Sequence, residues 1–171
     1  MSEGTVVSIG IARAGGEAME SVDEARAVAG RGLEGDRYLL KQGSFSKTEG
    51  TGREVTLIES EAIDALERDY DVKLEYKEAR RNIVTRGVAL NHLVGKEFRV
   101  GEVAMRGVRL NEPCNHLASL TNEKVKPGLV HRGGLRAEIL NDGVIRVGDA
   151  VQAAHPASTD RAPRSTPQPS G

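Results

Sequence analysis

The chain has 171 residues, a length that suits one domain, and 38% of them are hydrophobic, which is enough to form a core. Aromatic residues make up only 3%, so Val, Ile and Leu must fill that core. Lys and Arg number 24 against 25 for Asp and Glu, and this near-neutral balance excludes a protein that binds nucleic acid through bulk positive charge.

Short strands dominate the predicted secondary structure. Apolar residues that alternate or run together predict strands at 5–12, 24–29, 54–58, 82–86, 97–100, 103–110, 135–140, 144–147 and 149–153. Ser60 is expected to cap a helix that carries Ile63 and Leu66 on its apolar face, and Pro113 to begin a short helix ending near residue 120. Many short strands with one or two short helices predict a mainly β protein, and specifically a β-barrel.

Glycine-containing turns separate these strands. Three glycines within residues 30–35 predict a turn with positive φ. Gly101-Glu102 predicts a tight turn between two strands, and Asn141-Asp142-Gly143 predicts a β-hairpin between the strands that flank it. The glycine-rich loops of nucleotide-binding folds have no counterpart in the sequence, which argues against those folds.

The sequence also predicts where the protein resides and where its domain ends. No apolar run reaches the roughly 18 residues needed to span a bilayer, and the N-terminus lacks the pattern of a signal peptide. Cys114 is the only cysteine, so no intramolecular disulfide can form, which fits a reducing compartment. Residues 156–171 are rich in proline and lack large apolar residues, so we expect a disordered tail after a folded domain at 1–155. The prediction is a cytoplasmic protein with no membrane partner.

Cys114 is a candidate for chemistry because of its position. It follows Pro113, so it is expected to lie in the first turn of a helix, where the helix dipole favours the thiolate. A thiolate is both a nucleophile and a soft metal ligand. A buried cysteine that only fills space stays open as an alternative, as does a Cys–His hydrolase with His116 or His131 as the base. One cysteine with scattered histidines does not match a structural zinc site.

Basic residues are concentrated in one part of the chain. Between residues 73 and 109, nine basic residues stand against four acidic ones. Arg80-Arg81-Asn82, at the entrance of a predicted strand, offers guanidinium groups and an amide to an anion. Arg132-Gly133-Gly134 is a second candidate, because paired glycines allow successive N–H groups to converge on an anion. The alternatives are a solvated basic face for the first and a plain turn for the second.

Five short motifs follow one another along the chain. They are Gly32-Leu33-Glu34-Gly35-Asp36-Arg37, Arg80-Arg81-Asn82-Ile83, Leu93-Val94-Gly95 with Phe98-Arg99-Val100-Gly101, Glu112-Pro113-Cys114, and Val147-Gly148-Asp149. In this order they resemble the MOSC domain, found at the C-terminus of molybdenum cofactor sulfurases and as free-standing bacterial proteins. Together they span roughly residues 5–153, and the sole cysteine falls at the family's cysteine position.

The resemblance implies a fold, a cofactor and a set of site residues. The fold would be a mostly β barrel resembling the small barrel domain of pyruvate kinase. The cofactor would be molybdenum cofactor (molybdopterin), an anionic, phosphate-bearing pterin. Cys114 would be the catalytic residue and the molybdenum ligand, or would relay sulfur. The candidate cofactor-binding residues are Arg37, Arg53, Arg81, Asn82 and Arg132. Pyridoxal phosphate is not expected, because the desulfurase domain of the sulfurases is absent.

Three functions follow from this resemblance. The first is an oxidoreductase that reduces N-hydroxylated substrates through a cysteine-ligated molybdenum, with electrons from a donor protein. The second is a cofactor carrier or sulfur-transfer module that serves an apo-molybdoenzyme, with Cys114 as ligand or persulfide residue and no turnover of its own. The third is a metal-free module that binds another anion in the basic region. None of them involves nucleic acid.

Overall fold

The computed structural model describes residues 3–13, 18–36, 54–111 and 132–153. Within these residues the chain forms mostly short strands. The strands are β1 (Glu3–Ile11), β2 (Glu20–Val22), β3 (Glu24–Val28), β4 (Gly32–Leu33), β5 (Val55–Glu59), β6 (Ile83–Arg86), β7 (Glu97–Val100), β8 (Val103–Leu110), β9 (Leu135–Ile139), β10 (Gly143–Arg146) and β11 (Ala150–Ala153). The helices are α1 (Ser60–Tyr70) and two short 3₁₀ helices, Tyr76–Ala79 and Leu90–Leu93.

Seven strands close into a barrel. Their order around it is β1-β11-β7-β8-β9-β5-β6, and β6 returns to β1, while β2 extends from β1. The barrel interior is filled by aliphatic side chains such as Val6, Leu57 and Leu135, each fully buried, and by Phe98. The prediction of a mainly β barrel is confirmed, and a core almost without aromatic residues follows from the composition.

One crossover connects two parallel strands of the barrel. The chain leaves β5, passes through α1 and the first 3₁₀ helix, and enters β6, which pairs with β5 in parallel. The helix packs Ala62, Ile63 and Leu66 against Ile58 and Val84 on the outside of the barrel. Burial of an Ile, Leu or Val side chain stabilises a fold by about 1.5–3 kcal/mol, so the helix is fixed on the sheet by a second, smaller core.

The helix begins one residue earlier than its sequence predicts. Glu59 is the N-cap residue and Ser60 is already helical, so the prediction that Ser60 caps the helix is wrong by one position. The Ser60 hydroxyl instead lies 3.4 Å from Oε1 of Glu61. The other end matches the usual pattern, because Asp71 adopts a left-handed conformation with φ 57° and its N–H bonds back to the helix.

The predicted hairpin at Asn141-Asp142-Gly143 is wrong. β10 pairs antiparallel with β3 in a separate three-stranded sheet with β4, while β9 lies between β8 and β5. The reason is visible in the side chains: Oδ1 of Asn141 accepts from the N–H of Ala104, and Oδ1 of Asp142 accepts from that of Ala29. These side chains therefore bond to β8 and to the turn that follows β3, and not to a turn of their own.

Two further local predictions are confirmed, and two lie outside the described residues. The turn through Gly30, Gly32 and Gly35 has positive φ at all three glycines, as predicted. The strands flanking Gly101-Glu102 form the predicted antiparallel hairpin, β7–β8. The predicted helix at 113–120 and the predicted tail at 156–171, with the domain boundary at 155, lie outside the described residues.

Candidate functional site

Two adjacent strands border the part of the chain that contains Cys114. β8 ends at Leu110 and β9 begins at Leu135, and the two are antiparallel neighbours. The N–H of Asn111 donates to the carbonyl of Gly134 at 2.8 Å, which joins the two strand ends. Gly134 has φ 101°, and a Cβ there would overlap the carbonyl oxygen of Leu57. Only glycine therefore lets the start of β9 lie this close to β5.

A β-bulge brings two arginines together at this edge. The register of β8 against β9 shifts between Gly107 and Arg109, so Arg109 lies opposite Arg136. The flanking residues of β9, Leu135 and Ala137, face the barrel core, which places Arg136 on the outer face of the sheet. Bulges commonly change the direction of a side chain beside functional sites. The two arginines therefore concentrate positive charge at this edge of the sheet.

The two arginines differ in exposure. Arg109 is exposed, whereas Arg136 is half-buried and its Nη1 atom is buried. Guanidinium groups bind phosphate through two parallel hydrogen bonds, and two neighbouring guanidiniums suit a phosphate monoester. The pair was not among the residues that the sequence singled out as cofactor-binding. Arg109 belonged to the basic segment, but its partner in β9 depends on the bulge, which the sequence does not reveal.

Asn82 is fully buried and bonds to a strand next to β9. Its Oδ1 accepts from the N–H of Thr56 at 3.0 Å and from its hydroxyl at 3.2 Å, and its Nδ2 donates to the carbonyl of Gly10 at 3.1 Å. Thr56 is in turn the register partner of Arg136 on β9. Asn82 thus links β1 to β5 at Thr56, the residue of β5 that lies opposite Arg136. Direct contact of Asn82 with an anion stays a prediction, and the observed bonds assign it a supporting role.

Arg81 is also buried, with 7% of its surface exposed. Its Nε donates to the carbonyl of Gly133 at 2.8 Å, its Nη2 to that of Asn111 at 3.2 Å, and its Nη1 to that of Ala79 at 3.4 Å. Arg80, its neighbour, has φ 59° and ends the first 3₁₀ helix, so the two arginines have different backbone conformations. These bonds direct the guanidinium of Arg81 to the protein backbone, and its direct contact with an anion stays a prediction.

Arg132 is exposed and lines a pocket of about 130 Å³. The other residues around the pocket are Glu59, Ala62, Ala89, Asn91, His92 and Gly134. Oε2 of Glu59 accepts from the N–H of Leu90 at 3.0 Å. Burial raises the pKa of the Glu59 carboxyl above its ordinary value, while that hydrogen bond and the charges of Arg132 and His92 partly oppose the rise. The pocket therefore joins one carboxyl, one imidazole and one guanidinium beside the start of β9.

The remaining predicted site residues are not covered by the structure. Cys114, Arg37 and Arg53 lie outside the described residues, and so do His116 and His131. Of the predicted cofactor-binding residues, Arg81, Asn82 and Arg132 are described. Arg81 bonds to the carbonyl of Gly133, the residue that follows Arg132. Over the described ranges, no group of three or more His, Cys, Asp or Glu side chains is placed to hold a metal ion. No helix in the described ranges is long and apolar enough to cross a membrane.

Comparison with known proteins gives one family and several similar structures. A family model described as the MOSC domain matches residues 44–152. No curated protein matches the sequence significantly. The YuaD protein from Bacillus subtilis aligns with TM-score 0.73 and 15% identity over 90% of this chain and 98% of that one. YiiM from Geobacillus stearothermophilus aligns with TM-score 0.68 and 14% identity, over 89% and 75% of the two chains. YiiM from Escherichia coli aligns with TM-score 0.60 and 18% identity, over 91% and 70%.

Proposed function

Because the chain belongs to the MOSC domain family, which is associated with molybdenum cofactor binding, we propose that it binds this cofactor and uses it to reduce N-hydroxylated compounds. The observation that carries the proposal is the pairing of Arg109 with Arg136 across the bulge. Two guanidiniums on one face form a donor set that fits the phosphate of the pterin. The residues present therefore suit the anionic end of the cofactor.

The roles of the other residues follow from their placement. Arg109 and Arg136 bind the phosphate, and Asn82 and Thr56 support Arg136 from the neighbouring strands. Cys114, three residues beyond Asn111, supplies a thiolate ligand to molybdenum. Arg132 adds positive charge at the start of β9. Arg37 and Arg53 remain candidates for further contacts with the cofactor.

The proposed reaction removes a hydroxyl group from nitrogen. The N–O bond breaks, the hydroxyl leaves as water after taking up one proton, and the nitrogen takes up a second proton together with two electrons that come from an electron-donor protein. When bound, the cofactor supplies a metal centre capable of two-electron redox chemistry. A proton source is needed close to the substrate, and Glu59 is suited to hold a proton because burial raises the pKa of its carboxyl.

Metal and pterin analysis of the purified protein tests the proposal, followed by an assay with a simple amidoxime and a chemically reduced dye. We expect molybdenum and pterin in equal amounts and conversion of the amidoxime to the amidine. Cofactor without conversion would contradict the reductase and favour a carrier or sulfur-transfer module. A protein that contains neither molybdenum nor pterin, and takes up neither when they are supplied, would contradict cofactor binding itself.

A further inference from the structure

The pocket beside the start of β9 combines opposite charges with a small apolar wall, and we call it the Glu59 pocket. Its polar lining residues are Glu59, Asn91, His92 and Arg132, and its apolar wall comes from Ala62 and Ala89. From this arrangement we propose that the Glu59 pocket binds a small, uncharged, amide-type group, in which one carbon carries both an N–H donor and an oxygen or nitrogen acceptor. The proposal goes beyond the proposed function, because it requires no cofactor.

The protein itself holds the walls of the Glu59 pocket in place. Oε2 of Glu59 accepts from the N–H of Leu90 at 3.0 Å, which ties the end of β5 to the 3₁₀ helix Leu90–Leu93. Leu90 and Leu93 are buried in the main core, and the N–H of His92 donates to the carbonyl of Ala89 at 3.1 Å. A pocket that is already formed in the free protein binds its ligand without the cost of ordering its walls.

The volume of the pocket limits the size of the ligand. The pocket has about 130 Å³, whereas an apolar cavity of about 150 Å³ holds one molecule of benzene. Ala89, His92 and Arg132 are exposed, so the pocket opens to solvent. Ala62 and Ala89 offer apolar contact to a ligand no larger than one small ring with its polar group.

The charges of the pocket select for a neutral ligand. Glu59 is half-buried, and its pKa is raised by burial but held down in part by the charges of Arg132 and His92. A carboxylate ligand is repelled by the ionised carboxyl of Glu59, and an amidinium ligand by the guanidinium of Arg132. A neutral amide-type group avoids both repulsions, because its N–H donates to a carboxylate oxygen while its acceptor receives a guanidinium N–H.

Three probes of similar shape test the proposal on the full-length, cofactor-free protein. Benzamide, benzoate and benzamidine share one ring but are neutral, anionic and cationic, and each is titrated at about pH 7.5 while NMR follows the backbone amides. We expect benzamide to bind about tenfold more tightly than either ion, with the largest shifts at Ala89, His92 and Gly134. Equal or tighter binding of benzoate or benzamidine, or no binding of benzamide, would overturn the proposal.

Two charge variants should gain binding, a result that misfolding does not produce. Glu59→Gln keeps an oxygen for the N–H of Leu90 but removes the negative charge, so benzoate should bind about tenfold more tightly. Arg132→Gln should raise the affinity for benzamidine in the same way. Unchanged selectivity in either variant would overturn the charge argument.

A size variant tests where the ligand lies and separates this proposal from the proposed function. Ala89→Leu fills the pocket from an exposed position and should abolish benzamide binding, whereas Ala29→Leu, at an exposed alanine after β3, should bind as the wild type does. Equal binding by the two variants would overturn the proposal. Where the proposed function holds, the N-hydroxylated group of the substrate occupies the pocket, and Ala89→Leu raises KM for a simple amidoxime. Benzamide binding by a protein that takes up no cofactor would support this proposal and overturn only the proposed function.

Discussion

Two neighbouring rows of cross-strand partners in the sheet β7–β8–β9, here called levels, carry different combinations of charge. On one level, Arg106 lies opposite Glu97 on β7 and Glu138 on β9, and its Nη2 is 2.9 Å from Oε2 of Glu97. On the other level, Arg109 lies opposite Arg136. On the first level the cross-strand neighbours of the arginine are acids, whereas on the second level the cross-strand neighbour is another arginine. It is at the second level that the proposed function places the anion.

A β-bulge separates the two levels. It lies between Gly107 and Arg109 of β8 and shifts the pairing of β8 with β9 by one residue. Without it, alternation along β8 would put Val108 opposite Arg136. Arg106 therefore serves as an internal control for Arg109, because both are exposed arginines on β8.

The largest expected effect is the loss of activity on substitution of Cys114, which follows β8 in the chain. Cys114→Ser should fold normally but lose reductase or sulfur-transfer activity completely, because serine is a poor soft-metal ligand and cannot form a persulfide. Activity with an amidoxime and thermal unfolding of the same preparation measure both properties. Full activity in this variant would remove the molybdenum-centred functions and leave the anion-binding module. A stability loss without other change would identify a buried cysteine that only fills space.

A second variant tests how firmly the like-charged level is fixed. Gly134→Ala places a Cβ against the carbonyl of Leu57 at φ 101°. The backbone conformation alone costs about 1–2 kcal/mol, and the overlap adds about 1–3 kcal/mol to the loss of stability. Gly148→Ala, with φ 99° and open space around the Cβ, is the matched control and should show only the smaller, conformational loss. Equal losses in urea unfolding would contradict the close approach of β9 to β5.

Charge reversal should have opposite effects at the two levels. Arg106→Glu creates like-charged neighbours with Glu97 and Glu138, and should lower the free energy of unfolding by about 0.2–1 kcal/mol. Arg109→Glu creates an opposite-charge pair with Arg136 and should raise it by a similar amount, about 0.2–1 kcal/mol. The comparison is made by chemical unfolding at low ionic strength. Destabilisation of equal size in both variants would show that the two levels do not differ.

The smallest effect is a pH dependence that belongs to neither level. Glu54 is buried, its Oε1 accepts from the N–H of Ile139 at 2.7 Å, and burial raises the pKa of its carboxyl above the ordinary value. A raised pKa favours the protonated folded form, so stability is greatest below the ordinary carboxyl pKa and falls as pH rises through the folded one. Glu54→Gln should weaken this fall and raise stability at neutral pH. An unchanged pH profile of the melting temperature in Glu54→Gln would contradict the assignment.

The sequence predicts local features of this fold well and long-range ones poorly. The β7–β8 hairpin follows from alternation around Gly101-Glu102, because both strands and their turn are contiguous. Asn141-Asp142-Gly143 carries the same kind of signal but forms no hairpin, since its side chains accept hydrogen bonds from backbone N–H groups distant in sequence. The parallel pairing of β5 with β6 is equally non-local.

The candidate site shows the same division. The basic character around Arg80-Arg81-Asn82 is legible in the sequence, but the burial of Arg81 and Asn82 and their bonds to carbonyls depend on strands that meet only in the fold. Arg136 stands in a strand that reads as an ordinary alternation of apolar and polar residues. Its pairing with Arg109 follows from a one-residue bulge in β8, and the residue types in β8 and β9 do not predict that bulge.

The affinity of the cofactor for two matched variants tests the central claim, that the like-charged level is the anion site. Isolated molybdenum cofactor is titrated anaerobically into the wild-type protein, Arg109→Ala and Arg106→Ala. Loss of a charge-assisted phosphate contact is worth about 1.5–3 kcal/mol, so Arg109→Ala should bind roughly 10- to 150-fold more weakly. Arg106→Ala, whose charge is balanced by Glu97 and Glu138, should bind as the wild type does. Wild-type affinity in Arg109→Ala, or equal weakening in both variants, would contradict the claim.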